Sequence, residues 1–126
     1  MRPVYALLMA AGLVALAGCA IEPAATPTPA DPAELGRQTF VSYCVPCHGA
    51  DGEGLINALN APALNADGES HLLIDEAILS AIIDGGAASG GSMTPLGDAL
   101  SAEQEAAVLE FVHSLWTDEH RAAHTH

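Results

Sequence analysis

Two thiols and an imidazole fall within one short stretch, Cys44-Val45-Pro46-Cys47-His48. Cysteines at this spacing could ligate a metal, form a redox-active pair, or be joined to a single rigid acceptor. A structural zinc site needs a second pair of ligands at matching spacing. The third cysteine, Cys19, is no candidate, since it ends an apolar N-terminal stretch. A thioredoxin-like pair belongs between a strand and a helix, and no strand pattern flanks this one. What remains is the C-x-x-C-H attachment sequence for haem c. Thiols two residues apart can reach both vinyl groups of one porphyrin, and the next residue, His48, is then placed beneath the iron as proximal ligand. One motif implies one covalent haem, held by Cys44 and Cys47.

A six-coordinate iron needs a second ligand from the protein. Of the three methionines, Met1 and Met9 lie in the N-terminal apolar stretch, which leaves Met93 as the thioether of the folded part. It follows the glycine-rich run Gly85 to Ser92, which could carry it across the other haem face. A thioether ligand raises the reduction potential relative to two imidazoles.

The elements that position these residues read as helices. Asp31-Pro32-Ala33-Glu34 is a helix start, with an aspartate cap, proline at the first helical position and glutamate three residues after the cap. This helix is predicted to run to about Tyr43, with Leu35, Phe40 and Tyr43 inward. A second is predicted from near Ile74 to Asp84, with Ile74, Ile78 and Ile82 on one face and Gly85 as its stop. A third begins at the capping box Ser101 to Gln104 and buries Val108, Phe111, Val112, Leu115 and Trp116. The loops between them, Gly49 to Leu73 and Gly85 to Leu100, are long for a compact helical domain unless they have a function. Wrapping a cofactor is such a function. A folded part of about a hundred residues buries only roughly 60–65% of its unfolded surface, and aromatics are just 4% of this chain. An apolar prosthetic group would complete so sparse a core.

The ends read as an address and a tether. Arg2, the apolar run from Val4 to Ala17 and the small residues after it describe an export signal. Leu16-Ala17-Gly18-Cys19 resembles the lipobox of bacterial lipoproteins, in which the cysteine is acylated and becomes the first mature residue. The competing readings are cleavage after Ala17 and retention of Val4 to Ile21 as a membrane helix. Ala20 to Asp31 is rich in Ala, Pro and Thr. Such a segment favours extended polyproline II and would reach on the order of 35–40 Å. The organisation is therefore residues 1–18 signal, 19–31 tether, 32–118 folded domain and 119–126 tail. The protein is expected to be exported and anchored by lipid on Cys19, on the periplasmic side or the outer face of the cell membrane.

Sixteen acidic residues against three basic ones give a formal charge of −13, with no lysine. That excludes nucleic acid, whose phosphates need a basic surface, and charge-driven binding to anionic lipid. A partner protein is expected to present a basic docking face. His71 and His113 read as surface or packing residues. His120 and His124, four apart, could bind a metal, but their place near the end reads as a frayed tail.

From about Pro32 to Arg121 the chain resembles the class I c-type cytochromes, especially single-haem modules similar to the c-type subunits of haem–copper oxidases. The stretches that carry the resemblance are Cys47 to Gly54, Ala61-Pro62-Ala63-Leu64, Ile82 to Gly85, Met93 to Ser101, and Phe111 to Trp116. The resemblance implies a small all-α fold of three to four helices wrapped around one haem c. It also implies that the Pro62 carbonyl orients His48, and that Gly36 and Phe40 cross Val108 and Phe111. In one respect the chain departs from the pattern: Thr94 follows Met93 where the family usually has proline, and Pro95 comes second. The function implied is outer-sphere one-electron transfer, with no substrate bond made or broken. The alternatives are a haem subunit of a larger oxidoreductase, or a catalytic or gas-binding haem with a labile Met93.

Overall fold

Asp31 opens the helical part of the chain by accepting a hydrogen bond from the Ala33 N–H at 3.1 Å. The computed structural model describes residues 31–54 and 60–124. The expected signal segment and the expected tether with Cys19 lie, but for Asp31, outside the described residues. Helix α1 spans Pro32–Thr39 and does not run on unbroken to Tyr43. Phe40–Cys44 form a π-helical turn, and a short helix α2 then covers Val45–His48. Pro46 has no N–H to continue the ordinary ladder, and the register widens so that Val45 N–H reaches the Phe40 carbonyl. One extra residue in the turn rotates the side chains after it. Tyr43, expected inward, is exposed, and Cys44 is buried in the core instead.

Helix α3 spans Asp75–Asp84 and buries Ile78 and Ile82. Ile74 caps it from outside and stays half exposed, so the apolar repeat begins one turn later than its spacing predicts. Helix α4, Ala102–Ser114, starts at the capping box read from the sequence. Gln104 N–H donates to Ser101 Oγ at 3.2 Å, and Ser101 N–H donates to the Gln104 side chain at 3.0 Å. The residues expected to form a frayed tail make a further helix, α5, over Asp118–Ala123. Thr117 caps it by accepting from His120 N–H at 3.1 Å. Arg121 reaches back to the Trp116 carbonyl at 2.6 Å and pairs with Asp118.

Helices α1 and α4 cross at a glycine. A Cβ on Gly36 would collide with the backbone carbonyl of Ala107 and stand 3.1 Å from Phe111 Cβ. One turn later the rings of Phe40 and Phe111 meet with centroids 4.9 Å apart. Phe40 and Val108 are fully buried there, and each contributes about 1.5–3 kcal/mol through the apolar surface it removes from water. Ile78, Ile82, Leu100, Val112 and Trp116 extend the same core, and Met93 packs against it. Among the described residues there is no β-strand, and no helix is long and apolar enough to cross a membrane.

Candidate functional site

His48 ends α2, and its side chain is buried. Its Nδ1 lies 2.8 Å from the carbonyl oxygen of Pro62. A carbonyl only accepts, so Nδ1 carries the hydrogen, and in the neutral ring Nε2 keeps its lone pair. The described backbone on either side of this contact is tied together. Gly54 N–H donates to the His48 carbonyl at 2.8 Å, and Leu64 N–H donates to the Gly52 carbonyl at 2.7 Å. Gly54 adopts φ +75°, and a Cβ there would come within 2.7 Å of Ala63 N. Only glycine lets the Ala61–Ala63 backbone pass this closely.

The far side of that loop is pinned to the end of α4. Trp116 Nε1–H donates to the Leu64 carbonyl at 3.0 Å and to Ser70 Oγ at 2.9 Å. Ser70 Oγ–H donates to the same carbonyl at 3.0 Å. Periodicity along α4 marks Trp116 only as an apolar residue. Its indole N–H was the available signal for this second role, because a buried tryptophan has to find an acceptor.

Cys44 is buried, Cys47 is partly exposed, and neither is in a disulfide. Burial, reinforced by the nearby Cys47, pushes the Cys44 thiol up to about 11. Before attachment this sulfur is therefore a protonated thiol at neutral pH, resistant to stray thiolate chemistry.

Met93 sits half-buried against the cluster that holds Cys44, Ile82 and Leu100. Its backbone is fixed from the α3 side, where Gly86 N–H donates to the Met93 carbonyl at 2.9 Å. A Cβ on Gly85 would stand 2.6 Å from that carbonyl and 2.9 Å from Pro95 N. Beyond Met93, Leu96 N–H and Gly97 N–H donate to the Ile82 and Ile83 carbonyls at 2.9 and 3.1 Å. The segment is thus tied to the end of α3 on both sides of Met93, although Thr94 and not proline follows the methionine.

Two thiols outside any disulfide, an imidazole with one nitrogen tied off and a thioether on a braced loop make a donor set that fits a covalently attached haem. Residues 31–112, well over half of the chain, match the family model for cytochrome c oxidase, cbb3-type, subunit III. The chain belongs to this family of c-type cytochrome domains. The cytochrome carries one haem c, covalently bound through Cys44 and Cys47, and is an electron-transfer protein. Among solved structures it is similar to cytochrome CL from the marine methylotrophic bacterium Methylophaga aminisulfidivorans. That match has a TM-score of 0.54 at 22% identity and covers 78% of this chain and 69% of the other. The likeness shows a shared all-α class I cytochrome fold. No curated protein sequence matches the cytochrome at a significant level.

Proposed function

We propose that His48 and Met93 are the two axial ligands and that the cytochrome is an exported, lipid-anchored carrier of single electrons. The observation that carries this reading is the 2.8 Å contact between His48 Nδ1 and the Pro62 carbonyl. It fixes the tautomer whose Nε2 can bind iron, and it strengthens the imidazole as a donor. The bound haem supplies a one-electron ferric/ferrous couple. The chain's own residues hold that couple in one geometry. His48 is immobilised by the Pro62 carbonyl, Met93 is braced by Gly86, Leu96 and Gly97, and the buried Phe40, Val108 and Trp116 keep water from the interior. Because both ligands are held in place, little has to rearrange when an electron arrives or leaves.

Acylation of Cys19 would tether the domain on the outer side of a membrane, and the Pro/Ala/Thr-rich linker would let it swing. With a formal charge of −13, the domain would dock on a basic face of its redox partner. Transfer to such a partner slows as ionic strength rises; a salt-independent rate would remove charge from the docking step.

A redox-titrated optical spectrum of the matured protein tests the ligation. A methionine-to-iron band in the near infrared of the oxidised form is the expected result. Its absence, together with rapid carbon monoxide binding by the reduced form, would replace the carrier reading with a gas-binding or catalytic haem. The family match to an oxidase subunit favours a second reading, in which the same domain serves as a fixed subunit of a larger complex. Isolation from membranes in mild detergent, as a monomer or as part of an assembly, separates the two.

A further inference from the structure

Four of the chain's six histidines gather around Trp116, well apart in sequence from the haem-binding residues. The rings of His113 and His124 lie 4.6 and 4.9 Å from the indole, and His71 lies 6.3 Å away with His120 stacked on it at 3.7 Å. Two of the four converge on one carboxylate. His113 Nε2 and His124 Nε2 stand 3.0 and 2.8 Å from the same oxygen, Asp75 Oδ1. The three side chains come from the first turn of α3, the last turn of α4 and the residue after α5. Their exposure is low, at 20% for Asp75, 9% for His113 and 3% for His124.

We infer that Asp75, His113 and His124 form a second metal site, sharing no residue with the haem site, that takes a divalent ion of the zinc or copper class and clips the last helix to the domain. The donor set is chemically suited to it. Two imidazoles are borderline ligands that favour Cu²⁺ and Zn²⁺ over Mg²⁺ or Ca²⁺, and zinc accepts a carboxylate beside them. The spacing also fits. All three ligand atoms lie within 4.8 Å of one another, and tetrahedral zinc with bonds of about 2.0–2.1 Å needs its ligands roughly 3.3–3.4 Å apart. The oxygen–nitrogen pairs have only to open by a few tenths of an ångström.

The wiring of His124 is compatible with ligation. Its Nδ1 is 3.3 Å from the His71 carbonyl, and since that oxygen can only accept, Nδ1 carries a hydrogen. Nε2 then meets the carboxylate oxygen at 2.8 Å, as an ion pair when the ring is charged and, when it is neutral, as a lone pair that a metal ion between the two would satisfy. A backbone carbonyl that holds the outer nitrogen is the kind of partner that orients a metal-bound histidine. The outer nitrogen of His113 has its own carboxylate nearby, Glu110 at 4.0 Å. A cavity of about 320 Å³ lined by His71, Leu72, Leu73, Glu119, His120 and His124 adjoins the cluster. It borders His124, whose side chain is otherwise enclosed, and offers room for water as a fourth ligand. His71 and His120 stack with their planes 5° apart, so their lone pairs do not converge; they form the wall of this cavity.

The test uses holoprotein with its haem attached, stripped of loose metal with a chelator and dialysed against micromolar Zn²⁺. Haem iron counts the chains. The inference expects one zinc per iron in the native sequence. It also expects binding weakened in Asp75→Asn and in His124→Ala by at least the roughly 10–100-fold that losing even an outer-shell partner costs. His120→Ala should still bind, and an unchanged haem spectrum reports that each variant has folded. Zinc should raise the thermal midpoint of the native protein by about 5 °C or more, because it binds only the folded arrangement, and should leave that of His124→Ala unmoved. A zinc-to-iron ratio near zero, or equal binding by native protein, Asp75→Asn and His124→Ala, overturns the site.

Discussion

His48 Nδ1 donates to the carbonyl of Pro62, fourteen residues further along, at 2.8 Å. The bond depends on where the backbone places that carbonyl, and Pro62 contributes by holding its own φ near −65°. Pro62→Gly should loosen the acceptor and weaken the imidazole as a donor. The expected result is a higher reduction potential, with a stability loss of about 1 kcal/mol. Potentiometric titration alongside a guanidinium melt checks both. An unchanged potential would mean that the carbonyl positions the ring without tuning it.

Gly36 is placed under a sterically harsher demand. The Cβ of an alanine there meets the Ala107 carbonyl, which is backbone and cannot rotate aside. Gly36→Ala should therefore push α1 from α4 and separate the Phe40–Phe111 pair. The expected cost is about 3 kcal/mol or more, read as an earlier denaturant midpoint by haem absorbance. A neutral substitution would show that the two helices slide past each other freely.

Trp116 joins the C-terminal end of α4 to the loop that carries Pro62, through Leu64 and Ser70. Trp116→Phe keeps most of the apolar contact and removes the N–H. Because Ser70 still donates to the Leu64 carbonyl, the loss should be limited to about 1–2 kcal/mol. Thermal unfolding measures it.

On the exposed face of α1, the hydrogen bonds from Arg37, with that of Gln38 behind them, hold the Glu34 carboxyl down at about 2, against 4.5 for the free group. A depressed acid stabilises the fold above its unfolded value and loses that effect as pH falls. The contribution of Glu34 should thus be complete above pH 4.5 and vanish as pH drops through about 2. Carboxyl NMR of the reduced protein should show this low midpoint, and Arg37→Ala should return it towards 4.5. The effect on stability at neutral pH should be small, because the pair is open to solvent.

Local chemistry was legible from the residues themselves. Cys44 and Cys47 lie within one short motif, so haem attachment through them needs no knowledge of the fold, and the caps at Asp31 and at Ser101–Gln104 act over two or three residues. The four-residue repeat of Ile78 and Ile82 and the pattern Val108 to Val112 likewise declare a buried face without reference to what covers it. Where local rules compete, periodicity alone misleads. Pro46 shifts the helix into a π turn and sends Tyr43 outward, because a missing donor in the motif outweighs the apolar period before it.

What only the tertiary structure decided are the contacts made across long stretches of chain. No periodicity tells His124 that Asp75 lies beneath it, forty-nine residues earlier, or Trp116 that the Leu64 carbonyl will accept its hydrogen bond. A turn at Thr117 and the packing of α5 on the end of α4 turn an apparent tail into one wall of a histidine cluster. Such contacts form only when whole elements dock, and docking is set by the sum of many apolar surfaces, of which no single residue type carries the sign.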